Sequence, residues 1–129
     1  MIYIYFGVTI FLVLLDQLFK YLAYFYLQPV SSVEAIPYLL DLVYVENRGV
    51  AFGMFQDMQW LYITITSIVI VVFVVLLIKY YKKSKMFSVA ATLIIAGGIG
   101  NLIDRVWHGF VIDYLQLSFF DPVCNFADY

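Results

Sequence analysis

Two carboxylates in this sequence stand in apolar surroundings, where a charge needs a reason. Asp113 lies in Phe110-Val111-Ile112-Asp113-Tyr114-Leu115, and Asp128 closes the run Cys124-Asn125-Phe126-Ala127-Asp128. If such groups converge in a poorly hydrated site, one keeps its proton while the other carries charge, so the pair offers a general acid and a general base together. A pair of this kind can activate water against an amide carbonyl without a metal or a covalent intermediate. Its titration belongs to the pair and to neither residue alone. Glycosidases also use paired carboxylates, and proton-coupled carriers place acids within the membrane. The acids alone therefore leave enzyme and carrier both open.

Other chemistries are poorly supported. The chain has one histidine and one cysteine, and neither shows metal-ligand spacing. A serine or cysteine nucleophile would need His108 as its base, and no serine has activating surroundings. Cys124 lacks a basic partner and reads as a packing residue. Asp16 and Lys20 are spaced i, i+4, which puts them on one helical face as a structural ion pair turned toward other helices. Asn101, Asp104, Arg105 and His108 follow at i, i+3, i+4 and i+7, one stripe of a helix. Spacing alone leaves a structural polar network and a substrate-binding surface equally open for that stripe. The run Gly97-Gly98-Ile99-Gly100 permits close helix approach. It is no phosphate loop, since neither Lys-Ser nor Lys-Thr follows and no strand precedes.

The elements that must carry these residues are membrane spans. Of 129 residues, 65% are hydrophobic and 12% charged, far from the roughly 45–50% and 25% of soluble domains. A water-soluble domain of this size could not bury so much apolar surface. Three stretches have the length a bilayer requires: residues from about 2 to 27, 60 to 78 and 86 to 105. The second is rich in Ile and Val, yet its length favours a helix over a strand. The first lacks a basic leader and a small-residue cleavage site, so it reads as a retained helix.

Residues 79–85 hold four of the seven basic residues, which predicts that this loop and the N-terminus are cytoplasmic. Residues 28–59, and the chain after about Arg105, then lie on the outer side. The outer segment carries Pro29, Pro37 and an apolar run from Tyr38 to Val45, suited to short strands or an interfacial platform. The 24 Tyr and Phe residues suit membrane–water interfaces. A net charge of −2 gives no reason to expect nucleic acid, and a single cysteine excludes an internal disulfide. The chain reads as one integral membrane domain.

Four blocks, taken together, resemble a known family. Asp16-Gln17-Leu18-Phe19-Lys20 is similar to the Asp-x-x-x-Lys of the first helix of lipoprotein signal peptidases (signal peptidase II), the membrane-embedded aspartic proteases of bacteria. Asn47-Arg48-Gly49-Val50-Ala51-Phe52-Gly53 resembles their Asn-x-Gly-x-Ala-Phe-Gly element. Gly97 to Arg105, with Gly109 and Val111-Ile112-Asp113-Tyr114, resembles the third-helix signature, and Asn125-Phe126-Ala127-Asp128 the final Asn-x-Ala-Asp block.

The resemblance implies an intramembrane endopeptidase that cleaves diacylglyceryl-modified prolipoproteins before the lipidated cysteine. It implies Asp113 and Asp128 as the catalytic pair and Asn47, Asn101 and Arg105 as contacts to the substrate backbone. Asn125, Gly49, Gly53, Asp104, Asp16 and Lys20 would support the site. No cofactor or metal is implied.

The expected setting is the bacterial plasma membrane, with a multi-pass monomer among lipids and its active site near the outer face. The expected fold is membrane all-α with a small extracytoplasmic β/loop platform, holding three transmembrane helices of an expected four-helix bundle. Because the family's fourth helix follows the second aspartate, a C-terminal truncation is expected, and an inactive truncated member is one alternative reading. A small proton-coupled carrier or channel subunit is the other.

Overall fold

A computed structural model describes residues 1–49 and 58–129. Three helices carry most of the chain: α1 (Ile2–Tyr26), α2 (Gln59–Tyr80) and α3 (Lys85–His108). Each is long and apolar enough to cross a membrane. On α2 only Leu77 is buried, while Ile65, Ile68, Val71, Val75 and Ile78 all point outward. A helix apolar on every side and covered on almost none is stable only where lipid replaces water.

The ends of α3 follow from local chemistry. Ser84 caps the start, its hydroxyl accepting from the Phe87 N–H at 3.2 Å. Gly109 ends the helix in the left-handed region (φ 79°), and its N–H donates to the Arg105 carbonyl at 3.1 Å. The helix runs one turn beyond the expected residue 105, so Arg105 sits within it.

The strands assemble at one end of the bundle. A hairpin of β1 (Ser32–Ile36) and β2 (Leu40–Asn47) follows α1. After α3 the chain returns as β3 (Val111–Leu117) and a short β4 (Val123–Cys124). All four strands form one antiparallel sheet in the order β1-β2-β3-β4. The segment between α1 and α2 therefore forms strands as expected, but two of the sheet's four strands come from residues after α3. The β2–β3 register places Val45 opposite Asp113 and Asn47 opposite Val111, so Asn47 lies next to the strand that carries Asp113. A single 3-10 turn, Phe126–Asp128, follows β4 and packs on α3 and α1.

Two glycines of α3 permit close approaches, Gly97 to that turn and Gly100 to α1. A Cβ at Gly97 would collide with the carbonyl oxygen of Ala127, and one at Gly100 would meet the carboxylate of Asp16. Gly97→Ala is thus expected to push the Ala127–Asp128 turn off α3 without disturbing insertion of the helices. Misplacing a reacting group by about 1 Å can cost ~10²-fold in rate. The check is the cleavage activity that the motif resemblance implies, read beside a membrane-extraction profile: that activity should fall well over tenfold while the extraction profile stays that of the parent.

Candidate active site

The site rests on a buried ion triad between α1 and α3. Helical spacing puts Asp16 and Lys20 on the same face of α1, and packing of α1 on α3 brings Asp104 to them. The Lys20 Nζ lies 3.0 Å from Asp16 Oδ2 and 3.1 Å from Asp104 Oδ2. None of the three is more than 2% exposed. Gln17 closes the group by donating from Nε2 to Asp104 Oδ1 (3.1 Å) and to the Gly100 carbonyl (3.2 Å). Asp104 Oδ2 also accepts from the Ile112 N–H at 3.0 Å, which ties the end of α3 to the start of β3.

Removing one member of a buried ion group leaves the others uncompensated, at a cost of about 3–5 kcal/mol. Lys20→Met is expected to lower stability by that amount, and Asp16→Asn with Lys20→Met to recover part of it. Denaturation in detergent micelles measures both.

Lys20 reaches further. It donates to Asn101 Oδ1 at 2.8 Å, and that oxygen also accepts from Asn125 Nδ2 at 3.1 Å. Asn101 can then turn only its amide nitrogen outward, and Nδ2 donates to Asp128 Oδ1 at 3.0 Å.

Asn125, fully buried, is fixed in the same way. Its Oδ1 accepts from the Ala127 backbone N–H at 2.9 Å, a donor that cannot reverse. Its Nδ2 therefore faces Asp113 and donates to Oδ1 at 2.6 Å. The Asn125 backbone N–H donates to Asp128 Oδ2 at 2.9 Å, completing a capping box around the 3-10 turn. One residue thus holds both carboxylates. Asn47 donates from Nδ2 to Asp113 Oδ2 at 2.8 Å, while its own Oδ1 accepts from the Gly49 N–H at 3.0 Å.

The two acids differ in environment. Asp113 is 2% exposed, whereas Asp128 is exposed at its rim. Burial pushes the Asp113 carboxyl up to about 6, and the charge of Asp128 adds to this. The hydrogen bonds from Asn47 and Asn125 and the charge of Lys20 act the other way but do not cancel it. The inner carboxyl thus holds its proton to higher pH than an ordinary aspartate does.

Residues 8–129 match the sequence profile of a family described as Signal peptidase (SPase) II. The chain belongs to the signal peptidase II family. Among similar proteins is the lipoprotein signal peptidase of Caldanaerobacter subterraneus subsp. tengcongensis, 44% identical over 121 residues, which are 94% of this chain and 83% of that protein. Another is the lipoprotein signal peptidase of Enterococcus faecalis, 42% identical over 126 residues, 97% of this chain and 78% of the relative. A solved structure of a bacterial membrane enzyme superposes with a TM-score of 0.80 at 30% identity, covering 96% of this chain and 77% of its own.

In this member of the family, most of the residues singled out from sequence meet at one place. Asp113, Asp128, Asn47, Asn101 and Asn125 form one hydrogen-bonded cluster, with Asp16, Lys20 and Asp104 beneath it. Gly49 supports Asn47, while Gly53 falls outside the described residues. Arg105 forms no ion pair with either aspartate among the described residues. Its guanidinium lies over the Tyr62 ring, 5.0 Å from the centroid, and its buried Nε has no hydrogen-bond partner among them.

His108 leaves the stripe. It is exposed and stacks on Phe110 at 5.6 Å. Two contributors escaped the sequence reading. Gln17 was detectable as an amide inside a membrane span, three residues before Lys20. The Tyr114 hydroxyl, which accepts from the Phe126 N–H at 3.3 Å, had no such signal.

Proposed function

We propose that this member of the signal peptidase II family is an aspartic endopeptidase that removes signal peptides from diacylglyceryl-modified prolipoproteins, cutting before the lipidated cysteine. The observation that carries the reading is Asn125, a single buried side chain and backbone bonded to both Asp113 and Asp128. Such a clamp fixes two acids toward one reacting centre and separates their protonation by burial.

In the proposed reaction, water lies between the carboxyl groups. Asp128 takes a proton from it as the oxygen attacks the scissile carbonyl, and Asp113 protonates the carbonyl oxygen. The tetrahedral adduct then collapses. The proton held by Asp128 passes to the departing cysteine nitrogen, and Asp113 recovers its own.

Arg105 offers guanidinium donors for substrate carbonyls, with one of them unpartnered among the described residues. Asn47 and Asn101 each use Nδ2 to hold a carboxylate, and an amide nitrogen carries two hydrogens. Their second hydrogens are the proposed contacts to the substrate backbone.

The basic turn around Lys82 and Lys83 connects α2 and α3 at the end opposite the sheet. Under the positive-inside rule the sheet and acid pair are then proposed to face the outer leaflet. The test is cleavage by the purified protein in lipid nanodiscs. A lipidated precursor should be cut to give a new amino-terminal modified cysteine, and an unmodified precursor should not. Failure to cut the lipidated precursor, or pH-driven solute flux through the protein, would overturn the proposal.

A further inference from the structure

Four of the seven basic residues, Lys79, Lys82, Lys83 and Lys85, stand where α2 turns into α3. All four are exposed, and none of their ammonium groups pairs with a carboxylate among the described residues. No Asp or Glu occurs in residues 1–15 or 58–103. The end of the bundle opposite the sheet therefore carries cations with no counter-charge beside them.

The turn gathers these cations. Ser84 caps α3, and the buried Ser88 hydroxyl lies within hydrogen-bond reach of the carbonyl oxygens of Ser84 (2.8 Å) and Tyr81 (3.3 Å). The Lys83 N–H donates to the Tyr80 carbonyl at 2.8 Å. Tyr80 braces edge-on against Phe87 of α3, with ring centroids 6.2 Å apart. Two ammoniums lie over that one ring, Lys79 Nζ at 5.2 Å and Lys83 Nζ at 5.1 Å from its centroid. Lys82 Nζ stands 5.8 Å from the Tyr81 centroid. An exposed aromatic face holds a cation only weakly and leaves its charge in place. Two like charges thus share one ring, and an anion with several oxygens would relieve both.

The residues beneath the turn indicate which anion. Val75 stands four residues before Lys79 on α2, and Val89 four after Lys85 on α3, so each lies on its lysine's face one turn deeper in the span. They are 56% and 52% exposed. The lysines therefore head apolar strips that lipid must cover. A phospholipid can place its phosphate at the turn and its chains along those strips, whereas a free anion or an acidic peptide matches only the charge.

We propose that the α2–α3 turn binds the headgroup of an anionic phospholipid, held by Lys79 and Lys83 around Tyr80 at the membrane face opposite the acid pair. This site takes no part in the cleavage chemistry, and its test does not depend on the peptidase reading.

The experiment measures binding of fluorescent phosphatidylglycerol to the full chain in detergent micelles, beside phosphatidylcholine with the same acyl chains. The parent should bind phosphatidylglycerol at least about tenfold more tightly, and millimolar inorganic phosphate should not displace it. Each lysine near an anionic surface is worth about fivefold in binding. Lys79→Gln with Lys83→Gln should therefore weaken phosphatidylglycerol binding more than about tenfold and leave phosphatidylcholine binding unchanged. Lys82 and Lys85 remain in that variant to hold the topology. Lys83→Gln alone, a milder change should the double variant fail to insert, should weaken binding about fivefold. Arg48→Gln, which removes a cation at the sheet end, should have no effect.

Equal affinity for the two lipids, or unchanged phosphatidylglycerol binding in the lysine variants, would overturn the proposal. So would an equal loss in Arg48→Gln, which would make the effect one of net charge. Displacement by inorganic phosphate would overturn it by assigning the turn to a free anion.

Discussion

Replacing Asn125 by alanine is expected to lower the cleavage rate at least about a hundredfold and to destabilise the protein by ~2–4 kcal/mol. Three hydrogen bonds leave with the side chain: those to Asp113, to Asn101 and from the Ala127 N–H. The partners remain buried or half-buried, so they lose bonds that water cannot readily replace. The kinetic loss follows from geometry, because the same side chain orients Asp113 and starts the turn that carries Asp128. Asn125→Asp provides the contrast. It keeps an acceptor for Ala127 but sets a second acid 2.6 Å from Asp113 Oδ1, so the two must share a proton. The aspartate variant should therefore be nearly as stable as the parent at low pH and lose that advantage as the pH rises. Rates with a lipidated precursor and unfolding midpoints across pH measure both effects.

Asp113→Asn and Asp128→Asn are each expected to reduce cleavage by about 10³-fold while the protein remains membrane-embedded. Loss of a positioned acid or base accounts for 10²–10⁴. Their stability profiles should differ. Burial raises the Asp113 carboxyl from 3.8 to about 6, so the folded protein holds that proton more tightly than the unfolded chain does. Stability from this residue is fully present below about pH 4 and falls as the pH rises to about 6, by at most ~3 kcal/mol. Above that pH it is flat. Asp113→Asn should remove this slope, although its amide places a donor against the donors of Asn47 and Asn125. Thermal unfolding in detergent at pH 4, 5, 6 and 7 would show it: a midpoint that declines in the parent and stays level in the variant.

The parts of this molecule that were legible in its sequence are those encoded by one element at a time. Each span announces itself by an apolar run of bilayer length, and the Ile- and Val-rich α2 was no exception. Asp16 and Lys20 pair because four residues make about one helical turn, so their contact needed no partner element. Asp104 could be placed on a polar stripe, but not against Lys20, because that contact depends on how α1 packs on α3.

The sheet was half visible. Residues 38–45 looked like strand or platform, yet the pairing of β2 with β3 spans the whole of α2 and α3, and no local pattern records it. The linkage from Lys20 through Asn101 to Asp128 was hidden for the same reason. It joins residues from α1, α3 and the last turn, and the amide orientations that make it work are set by a backbone N–H at Ala127. The acids stand out in the sequence as isolated carboxylates in apolar surroundings, whereas Asn125, which bonds to both, belongs to no element that either periodicity or hydropathy marks.

The central claim is that Asp113 and Asp128 act as one catalytic unit on a lipidated precursor. Single-turnover cleavage of that precursor by Asp113→Asn, Asp128→Asn and the double variant tests it most directly. Groups that act as a unit give strongly non-additive losses. The prediction is a loss of about 10³-fold in each single variant and no further loss in the double. Retention of activity within tenfold of the parent by either single variant, or losses that multiply in the double, would contradict it.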